Sequence, residues 1–238
     1  MFCGALTRST FAFGEAVVAM PLLAMLPIGL HTAVPLVGLV GLSVALITMV
    51  FRGWRNIVRT ELVPLATASL LGVPVGLILL RTMPAGPVLA ALGAVLVLYG
   101  GYSLAQELAV VRTARPGLST QRWAPAFGFL SGLLGSAYNF NGAPVAVYGS
   151  LRGWDPERFR GTLQTHFLVT GLLIVAGQGL SGLWTADVVK LYLLSTPIIA
   201  LAVVVGAWLR QRLPVAPFRR YVLGLIMVLG ALMLVKVT

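Results

Sequence analysis

Acidic side chains are the scarcest chemistry in this chain: Asp and Glu together number 6 in 238 residues, against 17 Lys and Arg. Charged residues of both signs make up only 10% and apolar residues 58%, with a mean hydropathy of +0.96. Soluble domains carry roughly 25% charged residues, so this composition excludes one and marks an integral membrane protein. There is a single cysteine, Cys3, which rules out a disulfide framework and a thiolate metal site and reads as an inert small side chain. The stretch Met1–Thr10 lacks the ordered charged, apolar and cleavage regions of a secretory signal. No basic run is interleaved with aromatics, so the net charge of +11 does not indicate nucleic acid. No cofactor or metal motif stands out, and none is expected.

What is present is a series of apolar stretches of about 20 residues, each long enough to cross the hydrocarbon core. They fall at 33–51, 62–80, 86–106, 161–180, 188–209 and 220–237, and the longest polar connection is 107–122. Two further apolar segments, 1–27 and 123–150, are interrupted. The interruption Ser9-Thr-Phe-Ala-Phe-Gly-Glu-Ala-Val-Val-Ala19 recurs 127 residues later as Ser136-Ala-Tyr-Asn-Phe-Asn-Gly-Ala-Pro-Val-Ala146. Lipid offers no hydrogen bonds, so broken backbone at membrane depth must be buried in protein or line a cavity. Matched breaks in two halves point to a transporter's central site.

The arginines decide the topology. If 123–150 is a re-entrant hairpin, Arg52 to Arg59, Arg112 to Arg122, Arg152 to Arg160 and Arg210 to Arg220 all share one side. Only Arg8, Arg81, Lys190 and Lys236 then lie elsewhere. A simple crossing by every segment would instead divide the charges almost equally, against the positive-inside rule. The fold expected is therefore all-α, with two inverted repeats, each a broken re-entrant helical hairpin plus three transmembrane helices. The divisions are 1–108, a cytoplasmic linker 109–122, and 123–238. Gly76, Leu79, Pro84, Pro87 and Gly100 match Gly206, Leu209, Pro214, Pro217 and Gly230 at an offset of 130, which supports the duplication. The first hairpin lacks a full leading arm, being short at its N-terminus or truncated there.

Candidate binding residues cluster at the breaks. Asn139 and Asn141 are suited to cap a helix beginning at Gly142, and Pro144 fits its first turn. Gly14 and Glu15 hold the equivalent place in the first half. Two half-helix N-termini near the midplane would present free N–H groups and positive dipoles to a small anion, with Ser9 and Ser136 as further donors. The bland reading is that these small and polar residues only permit close packing. Arg8 adds positive charge to the site or stands as a flank residue at the outer surface. Glu15 carries a proton, pairs with Arg8, or complements the helix dipole. His166 is a proton-coupling candidate or a buried structural histidine. His31 reads as interfacial, Glu61 and Glu107 as partners of Arg59 or other nearby arginines, and Asp155 and Glu157 as residues of a solvated loop.

Several segments carry a family resemblance. Phe11-Ala-Phe-Gly-Glu-Ala-Val-Val-Ala-Met-Pro-Leu-Leu23, Gly128-Phe-Leu-Ser-Gly-Leu-Leu-Gly135, Asn141-Gly-Ala-Pro144 and Phe159-Arg-Gly-Thr-Leu163 resemble the TauE/SafE family of sulfite exporters, small bacterial permeases. The chain departs from the pattern in its short N-terminus and in Asn141, where many members carry glycine. The resemblance implies passage of small sulfur-containing anions, such as sulfite or organosulfonates, across the bacterial inner membrane. The partners expected are such an anion, protons and the lipid bilayer; a homodimer stays open. The rivals are a passive anion channel of the same architecture, an intramembrane hydrolase using Ser131 and His166, and a purely structural membrane scaffold.

Overall fold

A computed structural model describes residues 1–11, 14–52, 57–82, 85–108 and 120–212, with positions 224, 227, 228, 231, 234 and 235 beyond them. Most of the linker 109–122 and of the apolar stretch 220–237 therefore lies outside the described residues. Every regular element among the described residues is helical. They are α1 (Phe2–Phe11), α2 (Glu15–Ala24), α3 (Leu30–Arg52), α4 (Arg59–Thr82), α5 (Ala85–Leu108), α6 (Ala124–Tyr138), α7 (Gly142–Leu151), α8 (Pro156–Leu180) and α9 (Ala186–Arg212).

Length sorts these helices into two kinds. At 1.5 Å per residue, α3, α4, α5, α8 and α9 reach or exceed the roughly 30 Å of a hydrocarbon core. They carry the five corresponding apolar stretches read from the sequence, and α3, α4, α8 and α9 meet the length and hydropathy of a membrane span. In contrast α1, α2 and α7 have 10 residues each and α6 has 15, about 15 Å and 22 Å, too short to cross. The two short pairs are the two interrupted segments. Between α6 and α7 the chain reverses at Asn139, whose φ of 58° is left-handed and ends the helix; its N–H returns to the Gly135 carbonyl at 2.7 Å.

Contacts show where the second short pair enters and leaves. Leu65 near the start of α4 meets Gly128, Ser69 meets Gly132, and Gly76 meets Leu133 and Ser136, so α4 and α6 run parallel. At the other end of the pair, just beyond α7, Arg152 donates to Glu61 Oε1 from both Nε (3.0 Å) and Nη2 (2.7 Å), while Trp154 Nε1 donates to Oε2 (2.9 Å). Glu61 thus pairs with Arg152 rather than with Arg59, which is exposed. Both arms of α6–α7 therefore meet the bundle at the N-terminal end of α4, and the turn at 139–141 lies well along it. Val58 N–H, just before α4, donates to Thr162 Oγ1 near the start of α8 (3.0 Å), whereas Arg81 at the far end of α4 donates to the Ser181 carbonyl after α8.

Small residues let α4 and α6 approach within backbone contact. A Cβ on Gly128 would lie 2.8 Å from Leu65 Cα, and one on Gly132 2.8 Å from Ser69 Cα. Gly72 and Gly76 on α4 receive Phe129, Leu133 and Ser136 of α6, while Gly128 and Gly132 on α6 receive Leu65 and Ser69 of α4, two small-xxx-small pairs that gain van der Waals contact where no hydrophobic effect drives association. Ser69 Oγ closes it by donating to the Gly128 carbonyl at 2.8 Å. The helix α9 makes a comparable seam with α1, where Gly206 lies against Ser9. The centre belongs to α3 and α8, whose apolar windows are 56% and 50% buried, against 33% for α4 and 22% for α9. The outer faces of α4 and α9 show Leu70, Leu71, Ile78, Leu193, Leu194 and Leu201, a surface suited to lipid.

Candidate functional site

Both interrupted segments open on one cavity of about 40 Å³. By the space a single water needs, that is room for about three waters. From the first segment it is lined by Arg8, Gly14, Glu15 and Ala16, and from the second by Asn139, Phe140, Asn141, Gly142 and Ala143. The first residues of α2 and α7 thus face the same space. Backbone N–H groups in a first helical turn have no intrahelical acceptor and carry the positive end of the dipole. Gly14 makes the first turn possible: its φ of 93° is a conformation that side chains disfavour.

Arg8 is not a surface flank. It is buried in the last turn of α1, where a cation complements the helix dipole, and its Nη1 donates to Glu15 Oε2 at 3.0 Å. Its guanidinium also lies 4.7 Å from the Phe167 ring centroid, a cation–π contact. Glu15 occupies the first position of α2, where a carboxylate complements the opposite dipole end. Room for this pair comes from α3, because a Cβ on Gly41 would stand 2.8 Å from Glu15 Oε2 and 3.0 Å from Arg8 Nη1. Arg8 Nε and Glu15 Oε1 are buried with no hydrogen-bond partner among the described residues.

Behind the second break a chain of hydrogen bonds runs from α7 into α8. Asn141 Nδ2 donates to Thr170 Oγ1 (3.0 Å), whose hydroxyl donates to the His166 carbonyl (2.7 Å). Ser131 Oγ donates to the Asn141 carbonyl (2.7 Å) and lies 2.8 Å from His166 Nε2. Ser131 and His166 therefore do meet, but with the wrong polarity for hydrolysis. The single hydroxyl proton goes to a carbonyl, which cannot donate, so the ring must supply the Nε2–H. A nucleophilic serine needs the reverse, a bare ring nitrogen accepting its proton. The pair ties the hairpin to α8, and His166 Nδ1 is left without a partner among the described residues.

The sequence candidates divide accordingly. Arg8, Gly14, Glu15, Asn139, Asn141 and Gly142 line the cavity; Ser9, Ser136, Pro144 and His166 do not. Ser9 and Ser136 donate to carbonyls of their own helices, at 2.7 Å to Ala5 and 2.9 Å to Gly132. Pro144 is buried one step inside α7, and His166 stands behind Ser131. Asp155 and Glu157 are exposed as expected, yet Asp155 caps α8 by accepting from Glu157 N–H (3.1 Å) and Arg158 N–H (2.9 Å). His31 is exposed in the first turn of α3, and the Glu107 side chain lies outside the described residues. Sequence reasoning missed the opposing wall, Gly38 and Gly41 of α3 with Phe167 and Gly171 of α8. The only advance signal was glycine within an apolar span, where it marks a close approach.

No curated protein and no solved structure matches this chain. Over residues 1–233, almost its whole length, it matches the model of the sulfite exporter TauE/SafE family, and the chain belongs to that family of multi-pass membrane transporters.

Proposed function

We propose that this chain is a secondary permease that moves small sulfur-containing oxyanions such as sulfite out across a bacterial inner membrane. The observation that carries this reading is the convergence of two half-helix N-termini, α2 and α7, on one cavity beside Arg8. Helix N-termini favour anions through aligned N–H groups and the dipole, and repel cations. The cavity's size favours a compact ion of a few heavy atoms; a longer organosulfonate needs the space to open. Family membership makes sulfite the first substrate to try.

An inverted repeat is part of the same reading, and paired contacts support it. Gly76 touches Ser136, while Gly206, 130 residues after Gly76, touches Ser9, 127 residues before Ser136. Likewise α4 packs on α6 and α8, and α9 packs on α1 and α3. Exchange of halves maps each set onto the other, and it leaves the α3–α8 contact in place. Rocking of one unit against the other about the cavity then supplies alternating access. Proton coupling belongs to this reading too, with Glu15 in the cavity wall and His166 behind it as the groups to test.

The test is flux into proteoliposomes made with purified protein, screening sulfite, sulfate, thiosulfate and sulfonates. A wild-type sulfite response lost in Asn141→Leu supports the site at the second hairpin tip; an unchanged response in that variant removes it. Accumulation above the anion's own gradient when a proton gradient is imposed identifies a coupled permease. Flux that only runs down the anion gradient identifies a channel. If Glu15→Gln and His166→Ala both leave the pH response intact, the coupling proton uses neither side chain.

A further inference from the structure

The balance of charge at the cavity narrows what its occupant is, given the anion-permease reading above. Arg8 and Glu15 are the full charges that line it among the described residues, and at 3.0 Å they cancel. What remains are the N-termini of α2 and α7, each worth about half an elementary positive charge and offset in part by the C-terminal ends of α1 and α6, so at most roughly one positive charge together. The cavity therefore balances at most one negative charge. A dianion there leaves about one charge uncompensated in a low-dielectric space, which is costly.

The hydrogen-bonding groups ask for a second property. Two acceptors are poised at the wall. Glu15 spends Oε2 on Arg8, and its buried Oε1 has no partner among the described residues. Asn139 must donate Nδ2 to the Val34 carbonyl, which turns its Oδ1 against Gly38, 2.9 Å from where a Cβ would stand. An occupant that only accepts hydrogen bonds sets its oxygens against both. An occupant with one O–H satisfies an acceptor and still takes the N–H groups of α2 and α7 and the Arg8 Nε–H, which has no partner among the described residues.

We propose that the species occupying this cavity is a singly charged oxyanion that still carries a proton, hydrogensulfite rather than the sulfite or sulfate dianion. The proton then crosses on the substrate, held against Glu15 Oε1, and the Glu15–Arg8 ion pair sets the charge of the site. The titratable groups facing Glu15 are few. Arg8 of α1 pairs with it, the Met1 amino group acts on it from the start of α1, and α3, α7 and α8 place no titratable side chain on the cavity among the described residues; His166 lies behind, on Ser131.

Proteoliposomes containing the full chain, with protein-free vesicles subtracted for leak, are given sulfite, sulfate or methanesulfonate at equal total concentration from mildly acidic to mildly alkaline pH. Sulfite flux is expected to track the hydrogensulfite fraction, falling toward about tenfold per pH unit once the dianion dominates. Sulfate is carried much more slowly than sulfite at mildly acidic pH. Methanesulfonate, one charge and no proton, is carried slowly with no pH dependence, which separates substrate protonation from titration of the protein. Sulfite flux that is flat or rises with pH, or sulfate carried as fast as sulfite, overturns the proposal, as does a methanesulfonate flux with the same pH profile. Glu15→Gln removes a negative charge and adds a donor, so the ratio of sulfate to hydrogensulfite flux is expected to rise at least about tenfold, the scale of a 1.4 kcal/mol change; an unchanged ratio in a folded variant refutes the role of Glu15. Should Glu15→Gln fail to fold, the wild-type series decides alone. Absence of flux with all three anions defeats the permease reading itself.

Discussion

Ser131 illustrates how one hydroxyl does structural work that sequence proximity cannot reveal. It is fully buried and bridges the Asn141 carbonyl at the hairpin tip to His166 on α8. Ser131→Ala leaves a carbonyl and a ring N–H unsatisfied, at about 1–3 kcal/mol for each group. The expected result is a clearly lower melting temperature in detergent, while wild type does not react with a serine-directed fluorophosphonate probe; labelling at Ser131 would contradict the bond polarity argued above. Glu61 is a second such residue. Its carboxylate receives Arg152 and Trp154 in a nearly buried setting, so Glu61→Gln is expected to lose about 1.5–3 kcal/mol of charge-assisted bonding. Retained stability in chemical denaturation would show that Arg152 finds another partner. Sequence suggested an arginine for Glu61 but not which one, because the partner lies 91 residues away.

At the scale of helices, the ends and seams are where local chemistry speaks. Asp155-Pro156 is a legible start signal: the carboxylate caps α8 and proline fills its first turn. Asp155→Ala is expected to cost about 1 kcal/mol, and Asp155→Ser to restore most of it, both read by thermal melting. The α4–α6 seam is less legible, since Gly72-x3-Gly76 and Gly128-x3-Gly132 lie on segments far apart in sequence and the packing of each pair on the other helix is a tertiary fact. Gly132→Val would drive methyl groups into the Ser69 backbone, and overpacking of this kind costs about 1–3 kcal/mol. The expected outcome is a lower melting temperature together with weaker flux, because the seam sets the depth of the α6–α7 turn. An unchanged melting curve would mean the helices part without loss.

For the molecule as a whole, the arms of α6–α7 enter and leave by one end of the bundle, and α8 crosses to the other. In a Cys3→Ser background, Arg122→Cys and Glu157→Cys are expected to react with an impermeant maleimide from the same membrane face. Thr185→Cys, beyond α8, is expected to react from the opposite face; all three positions are exposed. Labelling of Arg122→Cys and Glu157→Cys from different faces would turn the hairpin into a crossing pair.

Composition and periodicity by themselves determined that this is a membrane protein of apolar helices with two matched interruptions, because hydropathy, helix length and the chemistry of Gly, Pro and Asn are local properties. The arginine distribution went further and pointed to a hairpin, since charge sidedness is summed along the chain. Only the tertiary structure decided that Arg8 is buried against Glu15, that Ser9 and Ser136 face glycines instead of the cavity, and that Gly38 and Gly41 make its other wall. Those outcomes depend on which helix faces pack together. In a chain where almost every face is apolar, amphipathic pattern does not choose the partner; close fit between small residues does.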